Sequence, residues 1–187
     1  SRLHPGTRRA PPLPAGLAAV PGHRHTLPRD GESAPFHFET TWKVRADLGC
    51  VWGVLSDISS WPGWWPGMSR VEMSADGLHG ELLVQSPLGY RLCFTLCLVE
   101  KHAPRGAAFS VTGDLRGTGT VRLRSEGETT VVTIMWCVVT RRRLLDRLRP
   151  AAAAAHNVVM AAGQRGLRRT CGARGTSLIG QIRRLAG

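Results

Sequence analysis

The chain has 187 residues, 42% of them hydrophobic, and a formal net charge of +12 at pH 7. This length can bury the core of one domain, and no run of roughly 18 apolar residues is present, which excludes a membrane-spanning helix. The charge lies at the ends: residues 141–187 hold eleven arginines and one acid, whereas residues 36–140 hold nine basic and ten acidic residues. The middle of the chain therefore has the composition of an ordinary, nearly neutral domain.

Residues 1–35 hold seven of the twelve prolines, together with Gly, Arg and His, and show no periodicity. This composition is typical of a segment that cannot bury a core. We expect residues 1–35 to be a disordered Pro/Arg-rich extension, which is either native or derived from an expression vector. The fold is expected to begin near Phe36. The one metal-like spacing, His23-x-His25, lies in this segment, so we expect neither a metal site nor a cofactor.

The spacing of apolar residues predicts the first elements of the domain, a strand followed by a helix. Residues 36–45 alternate between apolar and polar side chains, which predicts a half-buried strand. Asp47 is a suitable N-cap for the helix that follows. The helix carries an apolar stripe at spacings of three and four, made by Val51, Val54, Leu55 and Ile58. Residues 61–68 are predicted to form a second short helix or a structured turn.

The next part of the sequence predicts six strands of an antiparallel meander, each bounded by turn residues. Gly77 and Gly127 supply the positive φ that tight hairpin turns need. The predicted strands are Ser69–Ala75, Leu78–Ser86, Tyr90–Lys101, Ala107–Leu115, Gly119–Ser125 and Thr129–Thr140.

After Thr140 the period becomes helical. One or two turns are predicted in residues 141–149, followed by a long helix from Pro150 to about Cys171, since proline is tolerated in a first turn. One face of this helix carries His156, Met160, Gly163 and Leu167. Residues 173–187 are predicted to form a basic amphipathic tail.

Gly163 and Gly166 each cost this helix about 1 kcal/mol relative to alanine, so a compensating gain is expected. One interpretation is a close approach of the helix to the sheet. The other is ligand access through a locally softened helix.

Four of the six tryptophans lie within residues 52–65, beside Pro and Gly. Tryptophan combines a large apolar surface with one polar N–H, and Pro and Gly shape turns, so the block suggests a rigid aromatic wall. We assign Trp61 and Trp65 to the wall and Trp52 and Trp64 to core or surface. The alternative is that the whole block is a second core.

The order of elements resembles the helix-grip fold of the START-like or SRPBCC superfamily over about residues 36–172. Several short sequence motifs are similar to those of its polyketide cyclase/dehydrase-like branch. The residues that carry the similarity are Val51-Trp52-x-Val54-Leu55-x-Asp57, Trp61-Pro62-x-Trp64-Trp65, Gly113-Asp114-Leu115-x-Gly117 and His156-Asn157-x-Val159-Met160-x-x-Gly163-x-x-Gly166-Leu167. One departure concerns the last helix, where the family usually has Asn-His and this chain has His156-Asn157.

The resemblance implies an α+β fold of order β-α-α-β6-α, in which a curved antiparallel seven-stranded sheet wraps around a long C-terminal helix. It also implies an apolar cavity between the sheet and the helix, partly walled by the short helices. The residues expected to bind a ligand there are Trp61, Trp65, Tyr90, Phe94, Phe109, His156, Asn157 and Met160.

The first functional hypothesis is a protein that binds a hydrophobic small molecule such as a lipid, a polyketide or an aromatic metabolite. The second is a polyketide cyclase or dehydratase in which His156 is the candidate acid or base, because a histidine titrates near neutral pH. The alternative is that His156 is a buried polar residue whose hydrogen bonds are purely structural and which has no role in catalysis.

A third hypothesis rests on the Arg-rich tail, which could neutralise the phosphates of nucleic acid or contact an anionic membrane surface weakly through Leu178–Leu185. No specific nucleic-acid partner is expected, since the tail lacks interleaved aromatic residues. The five cysteines are odd in number and form no C-x-x-C pair, so no zinc framework is expected. Cys93, Cys97 and Cys137 lie in apolar strand-like runs, where a free cysteine behaves as a small hydrophobic residue, which favours a reduced, cytoplasmic setting. The oligomeric state stays open.

Overall fold

A computed structural model describes the backbone of residues 25–185 and the side chains of residues 25–175. The predictions made for residues 1–24, which include His23, and for the side chains of the tail beyond residue 175 lie outside this part. Within it, the elements are β1 (Phe36–Val44), α1 (Leu48–Ser56), a 3-10 turn (Ile58–Ser60), α2 (Trp61–Trp64), β2 (Met68–Met73), β3 (His79–Gln85), β4 (Arg91–His102), β5 (Gly106–Gly113), β6 (Arg116–Glu126), β7 (Thr129–Val139), α3 (Arg143–Arg147) and α4 (Arg149–Leu185).

The strands form a curved seven-stranded sheet in the order β1-β7-β6-β5-β4-β3-β2, and every neighbouring pair is antiparallel. All seven overlap the predicted strands, although β6 begins at Arg116, before its predicted start at Gly119, and β2 ends at Met73, before its predicted end at Ala75. Gly77 and Gly127, the hairpin glycines, have φ values of +69° and +60°. The helix-grip α+β fold with the order β-α-α-β6-α is confirmed, and α3 is the short helix predicted in residues 141–149.

Helix α1 begins as predicted. The Asp47 carboxylate accepts a hydrogen bond from the backbone N–H of Cys50 at 2.9 Å, which satisfies one of the open donors of the first turn. Val51, Val54 and Leu55 are buried beneath the helix. These three residues hold α1 against the body of the domain. Ile58, predicted as the fourth member of the stripe, lies beyond the end of α1 in the 3-10 turn.

Helix α4 is longer than the sequence predicts. It runs without interruption from Arg149 to Leu185, so the predicted tail is a continuation of the same helix in its backbone. Pro150 lies in the first turn, as expected. No proline follows it, and a single glycine such as Gly172 costs a helix only about 1 kcal/mol, so nothing in this stretch forces a break.

Gly163 and Gly166 lie where α4 meets the tryptophan block. A Cβ at Gly166 would stand 1.8 Å from the carbonyl oxygen of Trp64, and one at Gly163 would stand 2.5 Å from the indole of Trp65 and 2.9 Å from that of Trp42. Both positions therefore require glycine. The two glycines can be interpreted either as allowing close approach of the helix or as softening it for ligand access. These contacts support close approach, and the surface that α4 approaches is the tryptophan block together with Trp42 of β1.

Residues 25–35, expected to belong to a disordered extension, lie against the sheet instead. Thr26 and Ser33 are 8% and 5% exposed, and the N–H of Ser33 donates to the carbonyl oxygen of Thr140 at 2.8 Å. The expectation fails for these residues because polar and backbone hydrogen bonds hold them, and such bonds leave no hydrophobic period in the sequence. We call residues 25–35 the N-terminal segment.

An ion pair fixes the middle of the N-terminal segment to β6. The Arg116 guanidinium donates to both carboxylate oxygens of Glu32, at 2.9 and 2.6 Å. This hydrogen bonding lowers the pKa of Glu32 to about 2. The bidentate geometry is the arrangement that an arginine and a carboxylate favour.

Gly166→Ala tests the approach of α4 to Trp64. Alanine normally stabilises a helix by about 1 kcal/mol relative to glycine, but here its methyl group would collide with backbone, so we expect the free energy of unfolding to fall by about 2 kcal/mol or more. Gly172→Ala in the same helix is the matched control, because an added Cβ there meets no heavy atom within 4 Å. Equal denaturation midpoints for the two variants would contradict the packing described.

Candidate functional site

A cavity of about 300 Å³ lies between the concave face of the sheet and α4. Side chains alternate along a strand, so every second residue faces it. The sheet contributes a largely apolar surface that includes Leu82, Leu92, Phe94, Leu96, Phe109, Val111, Trp136 and Val138. The volume is at the lower end of the range for small-molecule pockets, about 300–1,000 Å³.

Two tryptophans of the block form a wall of the cavity. Trp61 and Trp65 line it, with ring centroids 5.2 Å apart. Their indole N–H groups are used for anchoring: that of Trp61 donates to the carbonyl oxygen of Leu55 at 3.1 Å, and that of Trp65 to the carbonyl oxygen of Val159 at 2.9 Å. The rings are therefore fixed in orientation before any ligand enters.

Of the other two tryptophans in the block, one lies where the sequence predicts and one does not. Trp64 is buried in the core and does not line the cavity, as expected for a core residue. Trp52, which was expected in core or surface, does line it. The reason is that Trp52 lies on α1 one residue after the fully buried Val51, on the side of the helix that borders the cavity.

The structure brings seven of the eight expected ligand-binding residues to the cavity, namely Trp61, Trp65, Tyr90, Phe94, Phe109, His156 and Met160. Asn157 is the exception: it is exposed and does not line the cavity. Consecutive residues of an α-helix point about 100° apart, so the inward direction of His156 turns Asn157 toward solvent. In the His156-Asn157 pair, the histidine is the residue that faces the cavity.

Several lining residues were not expected, above all Phe36, Phe38 and Trp136. The two phenylalanines could have been found, because the alternation of residues 36–45 places both on the buried face of β1. Trp136 could not be assigned to a face, since it lies in β7, where apolar residues follow one another almost without interruption.

His156 is held among aromatic rings at one side of the cavity. Its ring stacks on Phe38 with centroids 3.9 Å apart and an interplanar angle of 15°. The indole N–H of Trp136 donates to Nε2 of His156 at 3.2 Å. Since Nε2 accepts this hydrogen bond, the neutral imidazole carries its proton on Nδ1, which lies 3.4 Å from Oδ1 of Asn157.

Burial lowers the pKa of His156 to about 4, against a small opposing effect of its hydrogen bond with Asn157. The imidazole is therefore neutral at pH 7. Its one lone pair is already engaged by Trp136, so it is a poor proton acceptor in this arrangement. It can still orient a polar group of a ligand once the bond with Trp136 exchanges.

Few other polar side chains border the cavity, and two of them, Thr140 and Ser86, are already paired. The hydroxyl of Thr140 donates to the carbonyl oxygen of Asp114 at 2.7 Å, and the hydroxyl oxygen of Ser86 accepts from the N–H of Leu88 at 3.1 Å. Leu78 and Lys101 are exposed lining residues, so the cavity meets solvent on that side. Burial of an apolar ligand body is what this lining favours.

A curved antiparallel sheet that wraps around a long helix above an apolar cavity defines a helix-grip protein of the START-like superfamily. More specifically, residues 35–172 match the family described as Polyketide cyclase / dehydrase and lipid transport. The chain belongs to this family. Among curated proteins, none matches the chain, and no helix in residues 25–185 is long and apolar enough to cross a membrane.

Solved structures share the fold at low sequence identity. The Zhui aromatase/cyclase from Streptomyces sp. R1128 is 21% identical, with a TM-score of 0.65 over 75% of this chain and 96% of its own. The protein TTHA0849 from Thermus thermophilus is 16% identical, with a TM-score of 0.64 over 74% and 98%. A START superfamily protein from Mycobacterium smegmatis is 15% identical, with a TM-score of 0.52 over 66% and 93%. At these identities the likeness shows the fold.

The lowered pKa of His156 makes stability depend on pH. The unfolded chain binds a proton on this residue near pH 6.5 and the folded chain only near pH 4, so the contribution of His156 is complete above pH 6.5 and is lost as the pH falls toward 4. We expect this loss to be about 3 kcal/mol in the free energy of unfolding. Denaturant titrations of the wild type at pH 7 and pH 4.5 measure most of it.

His156→Phe keeps a ring on Phe38 and cannot bind a proton, so its stability should fall less between the two pH values. His79→Gln, which removes an exposed histidine of β3, is the control and should behave like the wild type. If the His156→Phe variant loses as much stability as the wild type, the assignment of a buried neutral histidine is wrong.

Proposed function

We propose that the protein binds a hydrophobic small molecule, such as a lipid, a polyketide or an aromatic metabolite, in the cavity between the sheet and α4. The observation that carries the proposal is a cavity of about 300 Å³ whose lining is almost wholly apolar and aromatic. Membership of a family described by polyketide cyclisation and lipid transport agrees with a ligand of this kind. The chain has the free cysteines expected of a reducing compartment, and we propose a cytoplasmic setting.

Burial of apolar surface supplies the affinity in this proposal, at about 25 cal/mol per Å² removed from water. The fixed indoles of Trp61 and Trp65 add little ordering cost on binding, because their N–H groups are already tied to backbone carbonyls. Walls that are rigid before binding favour ligands with flat, rigid parts.

The other side of the cavity also favours an aromatic part in the ligand. Phe38, Trp136 and His156 form a group of neighbouring rings, with Phe38 and Trp136 centroids 5.8 Å apart and Trp136 and His156 centroids 5.7 Å apart. A planar ligand can stack or meet such rings edge to face, an arrangement worth about 0.5–1.5 kcal/mol for each pair beyond area burial. His156 would then orient a polar group of the ligand.

A cyclase or dehydratase is the second candidate function. It is favoured by the likeness of fold to a protein described as an aromatase/cyclase. A cavity that folds a flexible chain can accelerate ring closure by proximity alone. Proton transfer by His156 would require its bond with Trp136 to exchange for one with substrate, and the pKa near 4 leaves the imidazole a weak base. For these reasons binding is the function that we place first.

A cavity-filling substitution tests the binding proposal. Ala152 lines the cavity from α4 and is buried, so Ala152→Phe should occupy part of the volume and weaken binding of a neutral apolar fluorescent dye by about tenfold or more, equivalent to about 1.4 kcal/mol. Ala154→Phe is the matched control, because Ala154 is exposed on the same helix and does not line the cavity. Dye titration and native mass spectrometry of the full chain provide the measurement.

Thermal melts of both variants separate loss of binding from loss of fold. Equal dye affinity in the two folded variants would place the binding site elsewhere. No binding of any apolar compound by the wild type, together with no co-purifying ligand in organic extracts, would remove the proposal.

The cyclase candidate has its own test. If His156 transfers a proton, His156→Phe should lower the turnover of a poly-β-ketone thioester by about a hundredfold or more while leaving dye affinity nearly unchanged. Turnover is followed by the absorbance of the aromatic product. Turnover that is unchanged in the variant would remove the proposed role of His156, and absence of turnover in the wild type would leave binding as the function.

A further inference from the structure

Three side chains with metal-binding atoms meet on the convex face of the sheet, away from the cavity. They are His25 in the N-terminal segment, His37 in β1 and Cys137 in β7, and their ligand atoms all lie within 4.8 Å of one another. His37 and Cys137 are directly paired in the ladder between β1 and β7. Two imidazoles and one thiol from three separate parts of the chain thus share one location.

This cluster is distinct from the cavity. The neighbours of His37 and Cys137 along their strands, Phe36, Phe38 and Trp136, line the cavity on the concave face. Side chains alternate between the faces of a sheet, so His37 and Cys137 point to the opposite face. His25 and His37 are exposed there, and Cys137 is buried beneath the N-terminal segment.

Hydrogen bonds of Thr26 hold the N-terminal segment over Cys137. The Thr26 hydroxyl donates to the carbonyl oxygen of Cys137 at 2.6 Å, and its backbone N–H donates to the Cys137 sulfur at 3.4 Å. Gly117 leaves room for this contact, since a Cβ there would stand 2.0 Å from the Cys137 oxygen and 2.9 Å from the Thr26 hydroxyl. His25 is thereby held next to the sulfur by its own neighbour in sequence.

We propose that His25, His37 and Cys137 bind a zinc ion that ties the N-terminal segment to β1 and β7. Imidazole and thiolate ligands are those that zinc prefers, and hard cations such as Mg²⁺ or Ca²⁺ prefer oxygen. On binding, the Cys137 thiol releases its proton to solvent and its sulfur becomes the ligand. The N–H of Thr26 then donates to a thiolate, an outer contact of the kind that tunes and orients metal ligands.

The geometry requires only local adjustment. Zinc bonds of about 2.0–2.1 Å to nitrogen and about 2.3 Å to sulfur put two nitrogens and one sulfur roughly 3.3–3.6 Å apart in a tetrahedral site. Rotation of the two exposed imidazoles, whose ring centroids are 5.7 Å apart, can close the present spacing. A water molecule completes the tetrahedron. The site rests on the strands and the N-terminal segment, and it is independent of the function proposed for the cavity.

Cobalt(II) is the probe for this site, because it adopts zinc geometry and its thiolate bonds absorb in the near ultraviolet. The untagged full chain is freed of metal with a chelator and titrated with CoCl₂ under reducing conditions. We expect a sulfur-to-cobalt band that saturates at about one equivalent and disappears when Zn²⁺ is added. Zn²⁺ should also raise the Tm of the wild type by mass action. Absence of the band in the wild type would overturn the proposal.

Variants identify the ligands. His25→Gln and His37→Gln change exposed side chains, so the fold should persist while the Kd for cobalt rises by about tenfold or more, since losing even an outer partner of a ligand costs about 10- to 100-fold. Cys137→Ser should abolish the band. His79→Gln and Cys97→Ser are the matched controls and should leave it intact. A band that survives in Cys137→Ser, or cobalt affinity that is unchanged in both histidine variants, would show that the metal binds elsewhere.

Discussion

The fold depends on the contact between α4 and the tryptophan block. At Gly166 the helix backbone meets the carbonyl group of Trp64 with no room for a Cβ, and at Gly163 it lies against the indoles of Trp65 and Trp42. Trp65 then donates its indole N–H to the carbonyl oxygen of Val159 in the same helix. This contact closes one end of the space between α4 and the sheet. The cavity is the remaining part of that space, which α4 borders with Ala152, His156 and Met160.

The alternation of side chains lets the same strands serve two purposes. In β1 and β7, Phe36, Phe38, Trp136 and Val138 build the cavity on the concave face, while His37 and Cys137 lie opposite on the convex face. Gly117 in β6 leaves the space beside the Cys137 carbonyl group that admits the Thr26 hydroxyl. The N-terminal segment therefore covers the sheet behind the aromatic part of the cavity. An interaction that holds this segment in place also supports the strands that carry Phe38 and Trp136.

The sequence predicts most of the fold and a large part of the cavity. Hairpin glycines, the Asp47 cap and strand alternation are local signals, and each depends on a few neighbouring residues, so the elements could be predicted. The N-terminal segment could not, since Thr26, Glu32 and Ser33 are held by partners about 80 to 110 residues away. Trp136 was missed because β7 is apolar on both faces. Asn157 was misplaced because the prediction used the His156-Asn157 motif as a whole, although the helix face that carries His156, Met160 and Gly163 does not include it. His25, His37 and Cys137 come from distant parts of the sequence, so no short spacing motif indicates that they form a cluster.

His156 shows why position and chemistry have to be argued separately. Its place on the inner face of α4 agrees with either an acid or base or a polar anchor. The surroundings separate the two roles, because Phe38 and Trp136 exclude the water that would solvate an imidazolium, and burial lowers the pKa to about 4. A site built for proton transfer near neutral pH would hold the pKa of its base close to 7. A neutral imidazole with a fixed tautomer is better suited to recognition, since it offers a directed hydrogen bond without the cost of burying a charge.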